Sequence, residues 1–370
     1  MSYNLKKHIT ILTLITLLAL PLFGVLNCCS AEDTPQDTTL KFLEDVAGID
    51  IAKYQIKTIN VLDMNVGIAD KSIKYVFESD GRKIEVSSLF KNDNLVWCKI
   101  NNLAGSLILN VPTGNSLDSA KSLMDRYQTF SKAPYLKPIR DSLNTLTELK
   151  SITVETDNVK LEVYTEGDFS RFYWKDTVKG IEIPQKAVGL VYYNGTLRTF
   201  SDHWNCYTIG SSDVNFDREK AIQTAKELAE KYSYTIGNTV VDNFTVVDEY
   251  IIAELTMQNR GECVLYPWWE IRLPLDDIYP GYVTEIRVLM WADTGEITYV
   301  QAIGGGGGNV VVSSEETSNP TATYILPTTD ALPENENNSV QNLLLVSGIV
   351  ALMIAVGVTV TKVFIKKKKK

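Results

Sequence analysis

Nineteen uncharged, mostly apolar residues run from Leu343 to Thr361, and Lys362 and five consecutive lysines, Lys366 to Lys370, follow them. As a helix rising ~1.5 Å per residue, such a run reaches about 29 Å, close to the ~30 Å hydrocarbon core of a bilayer. A buried core helix would match the apolar run but leaves the lysine tail unexplained. Positive charge beside a span stays on the cytoplasmic side. The pattern therefore predicts a transmembrane helix at 343–365, a cytoplasmic lysine tail at 366–370, and a cell-membrane protein that crosses once with its N-terminal domain outside. A tail of lysines forms no domain, so the work is expected outside or through a membrane partner.

At the other end, Lys6 and Lys7 precede an apolar run from Ile9 to Leu26, and small residues follow at Cys29, Ser30 and Ala31. This is the order of a secretory signal peptide, 1–31, with cleavage after Ala31. A lipobox would instead put a modified cysteine at Cys28, where the preceding Asn27 is ill suited; an uncleaved anchor is the other alternative. Between head and span, residues 304–342 open with five glycines, Gly304 to Gly308, and continue in Ser, Thr, Pro and Asn. Such a stretch buries too little apolar surface to offset ordering and reads as a disordered linker. It lacks the Lys-Ser/Thr ending of a phosphate loop. Leu326-Pro327-Thr328-Thr329-Asp330 before the span resembles a cell-wall sorting signal, from which Asp330 departs.

The chain holds 45 acidic and 36 basic residues. Eight of the basic ones, Lys6, Lys7, Lys362 and Lys366 to Lys370, lie outside the expected exported segment, which is left with a net charge of −17. Such a surface repels phosphate backbones, so no nucleic-acid partner is expected. Of five cysteines, Cys98, Cys206 and Cys263 remain after the signal. An odd count allows at most one internal disulfide, with Cys206–Cys263 a candidate. Sequons at Asn194, Asn243 and Asn337 permit glycosylation.

The exported part reads as three α+β units, 32–112, 113–210 and 211–303. Each has a helix before a run of strands, so the expected fold is α+β with antiparallel β-meanders each covered by a helix. In the first unit Leu40, Leu43 and Val46 or Ala47 have helical spacing, and Gly48 is a stop. Strands are expected at 72–77, 83–90, 95–100 and 106–111, with Asp80-Gly81 as a hairpin turn. In the second, Ser116 is the expected cap of a helix carrying Leu117, Ala120, Leu123, Met124 and Tyr127 on one face, and another helix spans 135–149. Strands follow at 151–155, 159–165, 169–174, 188–193, 197–200 and 204–209. In the third, Asp217 caps a helix to Tyr232 with a Glu227–Lys231 pair, and strands span 244–257, 264–273, 284–291 and 296–302.

Three segments of the third unit, "FDREKAIQTAKELAEKY", "LYPWWEIRLPL" and "RVLMWADTGEITYV", resemble a PepSY-type module over roughly Val214 to Ala302. The likeness lies in the AIxxAxxLA helix, the Trp strand and the D-x-G-E-I turn into the closing strand. The whole head also resembles uncharacterised archaeal surface proteins with one C-terminal span. The resemblance implies a non-catalytic extracytoplasmic module, in some cases tied to protease propeptides and inhibition.

Chemistry-bearing residues are sparse. After the signal His203 is the only histidine, and the cysteines lack CxxC spacing, so no metal site and no cofactor are expected. On a strand His203 and Cys206 would face opposite ways, which argues against a thiol nucleophile with its base. Asp276, Asp277 and Glu285 lie near aromatic residues and leave a carboxylate-based hydrolase as a third reading. The denser feature is aromatic: Tyr266, Trp268, Trp269, Tyr279, Tyr282 and Trp291 fall within 26 residues. On a strand Trp268 and Trp269 face opposite sides, and exposed Trp and Tyr favour recognition of a protein or glycan. The leading expectation is a non-catalytic binding module facing an extracellular protein or glycan; the second is a self-associating structural component of the cell envelope.

Overall fold

The computed structural model describes residues 34–112, 114–156 and 158–304. The expected signal, linker, membrane helix and lysine tail lie outside them, apart from Gly304, and so does Asn337. Among the described residues no helix is long and apolar enough to cross a membrane.

Helix α1, Pro35–Lys41, starts at Thr34, whose hydroxyl accepts from the Asp37 amide at 3.2 Å, and it passes into a π-helical turn, Phe42–Val46. It ends at Gly48, which takes φ +74° as a helix stop requires. A four-stranded meander follows, β1 Gln55–Val66, β2 Ala69–Ser79, β3 Arg82–Lys91 and β4 Asn94–Ala104. The expected strand at 106–111 is absent; Leu109 makes only an isolated bridge to Ile49. Asn115, not Ser116, caps α2, Ser116–Ser131, because its side chain accepts from the Asp118 amide at 2.9 Å. Helix α3 is Leu136–Asn144, shorter than its periodicity suggests.

A second meander comprises β5 Ile152–Thr156, β6 Val159–Glu166, β7 Phe169–Val178, β8 Ile181–Tyr193 and β9 Thr196–Asp202. Its last strand pairs antiparallel with β4, through Trp97 with Ser201, Cys98 with Phe200 and Lys99 with Thr199. The two meanders thus form one nine-stranded sheet, in the order β1-β2-β3-β4-β9-β8-β7-β6-β5. All three helices bury their apolar sides in one core on this sheet, with Phe42, Leu123, Met124, Ile139, Trp174 and Phe200 at its centre. The Trp174 indole donates to Ser142 Oγ at 3.0 Å, so the largest core ring also ties β7 to α3.

Helix α4, Arg218–Ala229, is capped by Asp217, whose carboxylate accepts from the Lys220 amide at 2.9 Å. Glu227 accepts from Gln223 Nε2 at 3.0 Å, and no Glu227–Lys231 pair forms. A small hairpin, β11 Tyr234–Ile236 and β12 Thr239–Val241, precedes β13 Ile252–Asn259, β14 Val264–Tyr279, β15 Val283–Trp291 and β16 Ile297–Gly304. The strand expected from Phe244 begins only at Ile252. The one expected at 204–209 resolves into a 3₁₀ turn, Trp204–Cys206, and a two-residue strand, β10 Thr208–Ile209, which pairs parallel with β14. β13 to β16 and β10 form the second sheet, and α4 covers one of its faces. The molecule is mostly antiparallel β-sheet with few helices, an α+β fold.

The two sheets meet at β8. Its pairing with β7 slips between Lys175–Ala187 and Asp176–Ile183, leaving Pro184, Gln185 and Lys186 as a bulge. Proline fits there because no ladder hydrogen bond is asked of it. Beyond the bulge Ile181 and Ile183 pack on Met257 and Leu265 of the second sheet. Gln185 Nε2 also donates to Gln258 Oε1 at 3.1 Å.

Gly295, in the turn between β15 and β16, has φ +78°, and a Cβ there would lie 2.1 Å from the Phe216 ring. Gly237 has φ +58° with open space around it. Gly295→Ala is therefore expected to lose about 2–4 kcal/mol of stability, strain plus overpacking, and Gly237→Ala only about 1–2. Chemical denaturation of the two variants side by side measures the difference.

Candidate binding face

Alternation along β14 divides its side chains cleanly. Leu265, Trp269, Ile271 and Leu273 are buried, Trp269, Ile271 and Leu273 in the core beneath α4. Tyr266, Trp268, Glu270 and Arg272 point the other way. Cross-strand pairing sets Trp268 beside Thr256 and Trp291, Glu270 beside Leu289, and Leu289 beside Tyr299. Of the side chains on this outward face of the second sheet, Trp291 alone is buried, while Ile252 and Tyr299 are exposed.

Opposite charges on this face meet at Glu270. Glu270 Oε1 takes Arg272 at 2.8 Å and Arg287 at 3.4 Å. At the strand ends Arg260 forms a two-point ion pair with Asp293, at 3.0 and 2.5 Å. Its guanidinium lies 4.4 Å from the Tyr266 ring centre and 4.1 Å from that of Trp291. The cation contacts both rings, which themselves meet edge to face, and so ties the two aromatics together. Trp268 keeps a long contact, Nε1 to Thr298 Oγ1 at 3.4 Å.

The six aromatics do not form one patch. Tyr266, Trp268 and Trp291 share the outward face. Trp269 lies in the core, with its indole donating to the Phe216 carbonyl at 2.7 Å. Tyr279 packs on Phe244 at 5.0 Å and accepts from the Thr245 amide at 3.1 Å, holding a loop. Tyr282 is an exposed turn residue at φ +61°. Arg260, Leu289 and Tyr299, which the sequence does not single out, complete the face; the pairing register places Leu289 and Tyr299 there, and the Asp293 ion pair and ring contacts place Arg260. Asn194 and Asn243 are exposed and occupy left-handed turn positions, φ +49° and +60°.

A second concavity, a cleft of about 780 Å³, lies between α1, the β3–β4 turn and the end of α2. Asp202 at its base is buried and accepts from Tyr127 at 2.6 Å, Tyr135 at 2.5 Å and the Trp204 amide at 3.1 Å. Burial pushes its carboxyl above the usual range, against the pull of these donors and of Lys186. Cys206 and Cys263 line the same cleft as free thiols. Burial, with Asp202 and Cys263 nearby, pushes the Cys206 thiol up to about 12. Cys98 is buried beside Ser88 and also raised to about 12.

The 3₁₀ turn corrects the strand geometry expected for His203 and Cys206, since residues three apart in such a turn lie on the same side. Their protonation still opposes nucleophilic chemistry: burial lowers His203 to about 4, while the thiol is raised. Asp276 and Asp277 are exposed, and they take up Tyr279 and the Ile278 amide respectively. Neither they nor Glu285 lines the cleft. Among the described residues no group of three His, Cys, Asp or Glu side chains could hold a metal ion.

No protein-family model matches the chain, and no curated protein matches it. Among solved structures, the Bacillus megaterium YpeB C-terminal domain aligns at 12% identity over 74% of this chain and 98% of that one, with a TM-score of 0.32. A DNA polymerase sliding clamp from Pseudomonas aeruginosa aligns at 11% identity over 73% and 95%, with a TM-score of 0.10. Superpositions this distant carry no argument about fold or activity.

Two outcomes test the site's electrostatics. A carboxyl whose folded pKa lies above its unfolded value of about 3.9 opposes folding above the folded pKa, and that penalty is relieved as pH falls toward the unfolded one. Wild type should therefore gain on Asp202→Asn in unfolding free energy as pH drops from 7 toward 4.5. Arg260→Lys, which loses the two-point pair and the stacked plane, should lower stability by about 1–2 kcal/mol in thermal unfolding.

Proposed function

We propose that this protein is a membrane-anchored, non-catalytic binding module of the cell exterior, and that its head binds an extracellular protein through the outward face of the second sheet. The observation that carries this reading is the composition of that face. Trp268, Leu289 and Tyr299 run across three strands as an apolar strip, Ile252 stands apart beside Arg272, and Glu270 within this face holds both Arg272 and Arg287. Apolar anchors among satisfied charges suit a protein partner, because docking need not desolvate an unpaired ion.

The corresponding face of the first sheet is different. There Lys160, Glu162, Lys175 and Glu182 form a ladder of ion pairs, with Lys175 at 2.7 Å from Glu162 and 3.1 Å from Glu182. Such a ladder is content in water. The apolar run 343–361 with its lysines supports the anchor and the outward orientation, and an exported location would open Asn194 and Asn243 to glycosylation. The PepSY resemblance of Val214 to Ala302 supports a non-catalytic role and directs the partner class toward proteases and envelope proteins.

Cross-linking on intact cells, with mass spectrometry of what the head captures, tests the reading. The double variant Trp268→Ala/Tyr299→Ala should lose the captured protein while retaining most of its stability. Trp269→Ala, by contrast, should lose about 3–5 kcal/mol of stability by opening a core cavity. Capture undiminished in the double variant would place the interface elsewhere, and the absence of any captured protein would remove the binding function.

A further inference from the structure

The two outer edges of the nine-stranded sheet are unlike each other. Strand β5 ends one side with five residues, Ile152–Thr156, and carries Glu155, which pairs with Lys160. A short, charged edge of this kind is protected against further strand pairing. Strand β1 ends the other side with twelve residues, and among the described residues no strand lies beyond it. Four of its apolar side chains are exposed: Ile56 at 43%, Ile59 at 54%, Val61 at 41% and Leu62 at 54%. Its six central residues, Thr58 to Asp63, pair with β2 without interruption, so this part of the edge is regular.

We infer that β1 is a docking edge for a second copy of this chain, the two copies pairing antiparallel about a two-fold axis at Asn60. A two-fold axis perpendicular to a sheet leaves each face on its own side, so only residues of the same face can stand opposite one another. Centring on Asn60 sets Ile59 of each copy against Val61 of the other, and Thr58 against Leu62. The same register brings Lys57 of each copy alongside Asp63 of the other, two opposite-charge pairs related by the axis.

Ile59 and Val61 do share a face: they pair with Tyr75 and Ile73, which point into the core. Neighbouring registers are worse. Centring on Ile59 sets Lys57 against Val61, and centring on Val61 sets Ile59 against Asp63. Lys57 itself lies where the β1–β2 register slips, between Ile56 and Thr58. That slip confines close pairing to the central segment and lets the long lysine side chain reach across. The five closely paired residues of each copy, Thr58 to Leu62, bury less than the ~1,200 Å² of a standard interface, so the dimer is weak and reversible. This surface is separate from the second-sheet face, and its failure would leave that binding reading intact.

The register gives a direct test in the full chain. Opposed residues in an antiparallel pair have Cα atoms about 4.5–5.5 Å apart, within disulfide range, whereas Leu62 would lie about 13 Å from its own copy. Under mild oxidation with glutathione disulfide, Asn60→Cys should form a disulfide-linked dimer at least tenfold faster than Leu62→Cys, over the background of the parent chain. Each new bond joins two thiols and reduces one glutathione disulfide to two glutathiones. Adding Lys57→Glu should slow the Asn60→Cys link several-fold, and adding Asp63→Lys as well should restore it. Equal rates at the two positions, no dimer from folded Asn60→Cys, linkage to a different protein, or failure of the charge reversal to restore the link would each overturn the proposal.

Discussion

An antiparallel sheet can bury one face under helices and leave the other to water, and the described residues hold four α-helices for sixteen strands. Helices α1 to α3 cover one face of the nine-stranded sheet and α4 covers one face of the second, so both outward faces must be made tolerable by their own side chains. The first sheet does this with alternating lysine and glutamate, whose mutual pairing satisfies each charge at little cost in hydration. The second does so only in part. Glu270 holds Arg272 and Arg287, but Trp268, Leu289, Tyr299 and Ile252 remain on the outward face around them. Shortage of helical cover thus makes the unlike composition of the two faces informative.

The joint at β8 rests on a break in register. A strand with a continuous register could serve only one sheet. The three-residue bulge at Pro184 to Lys186 interrupts the ladder, so the half toward Tyr193 stays in the first core while Ile181 and Ile183 enter the contact with Met257 and Leu265. Lys186, within that bulge, donates to the Trp204 carbonyl at 2.9 Å and lies 3.6 Å from Asp176. Trp204 in turn stacks on Tyr135 at 5.4 Å, which donates to Asp202. Bulge, 3₁₀ turn and α2–α3 connection are therefore held by one connected set of polar and aromatic contacts.

Local signals in the sequence carried the helices and tight turns. Gly48 ends the first helix, Asp217 begins the last, and Asp80-Gly81 turns between strands, because each of these depends on the backbone of a few neighbouring residues. Strand β1 was not legible. The slip near Lys57 puts Ile56, Ile59 and Val61 on one face at spacings of three and two, which matches neither period. The fusion of two meanders into one sheet was hidden for a different reason: it rests on three residue pairs between β4 and β9, about a hundred positions apart. In the candidate site, alternation alone separated Trp268 from Trp269. Leu289 and Tyr299 required the cross-strand register, and Arg260 its long-range pair with Asp293, neither of which a single sequence displays.

Residues 202 to 206 gather an aspartate, a histidine and a cysteine, the ingredients of nucleophilic catalysis, yet the environment works against each. Burial raises Asp202 and Cys206 and lowers His203, in every case disfavouring the charged form. A catalytic thiol needs a nearby cation to hold the thiolate, and the strongest charge acting on Cys206 is the carboxylate of Asp202, which has the wrong sign. Tyr127 and Tyr135 are themselves held protonated by burial, so their hydroxyls stay committed as donors to Asp202. These buried groups suit a structural knot, one that fixes α2 and the 3₁₀ turn against the end of β9.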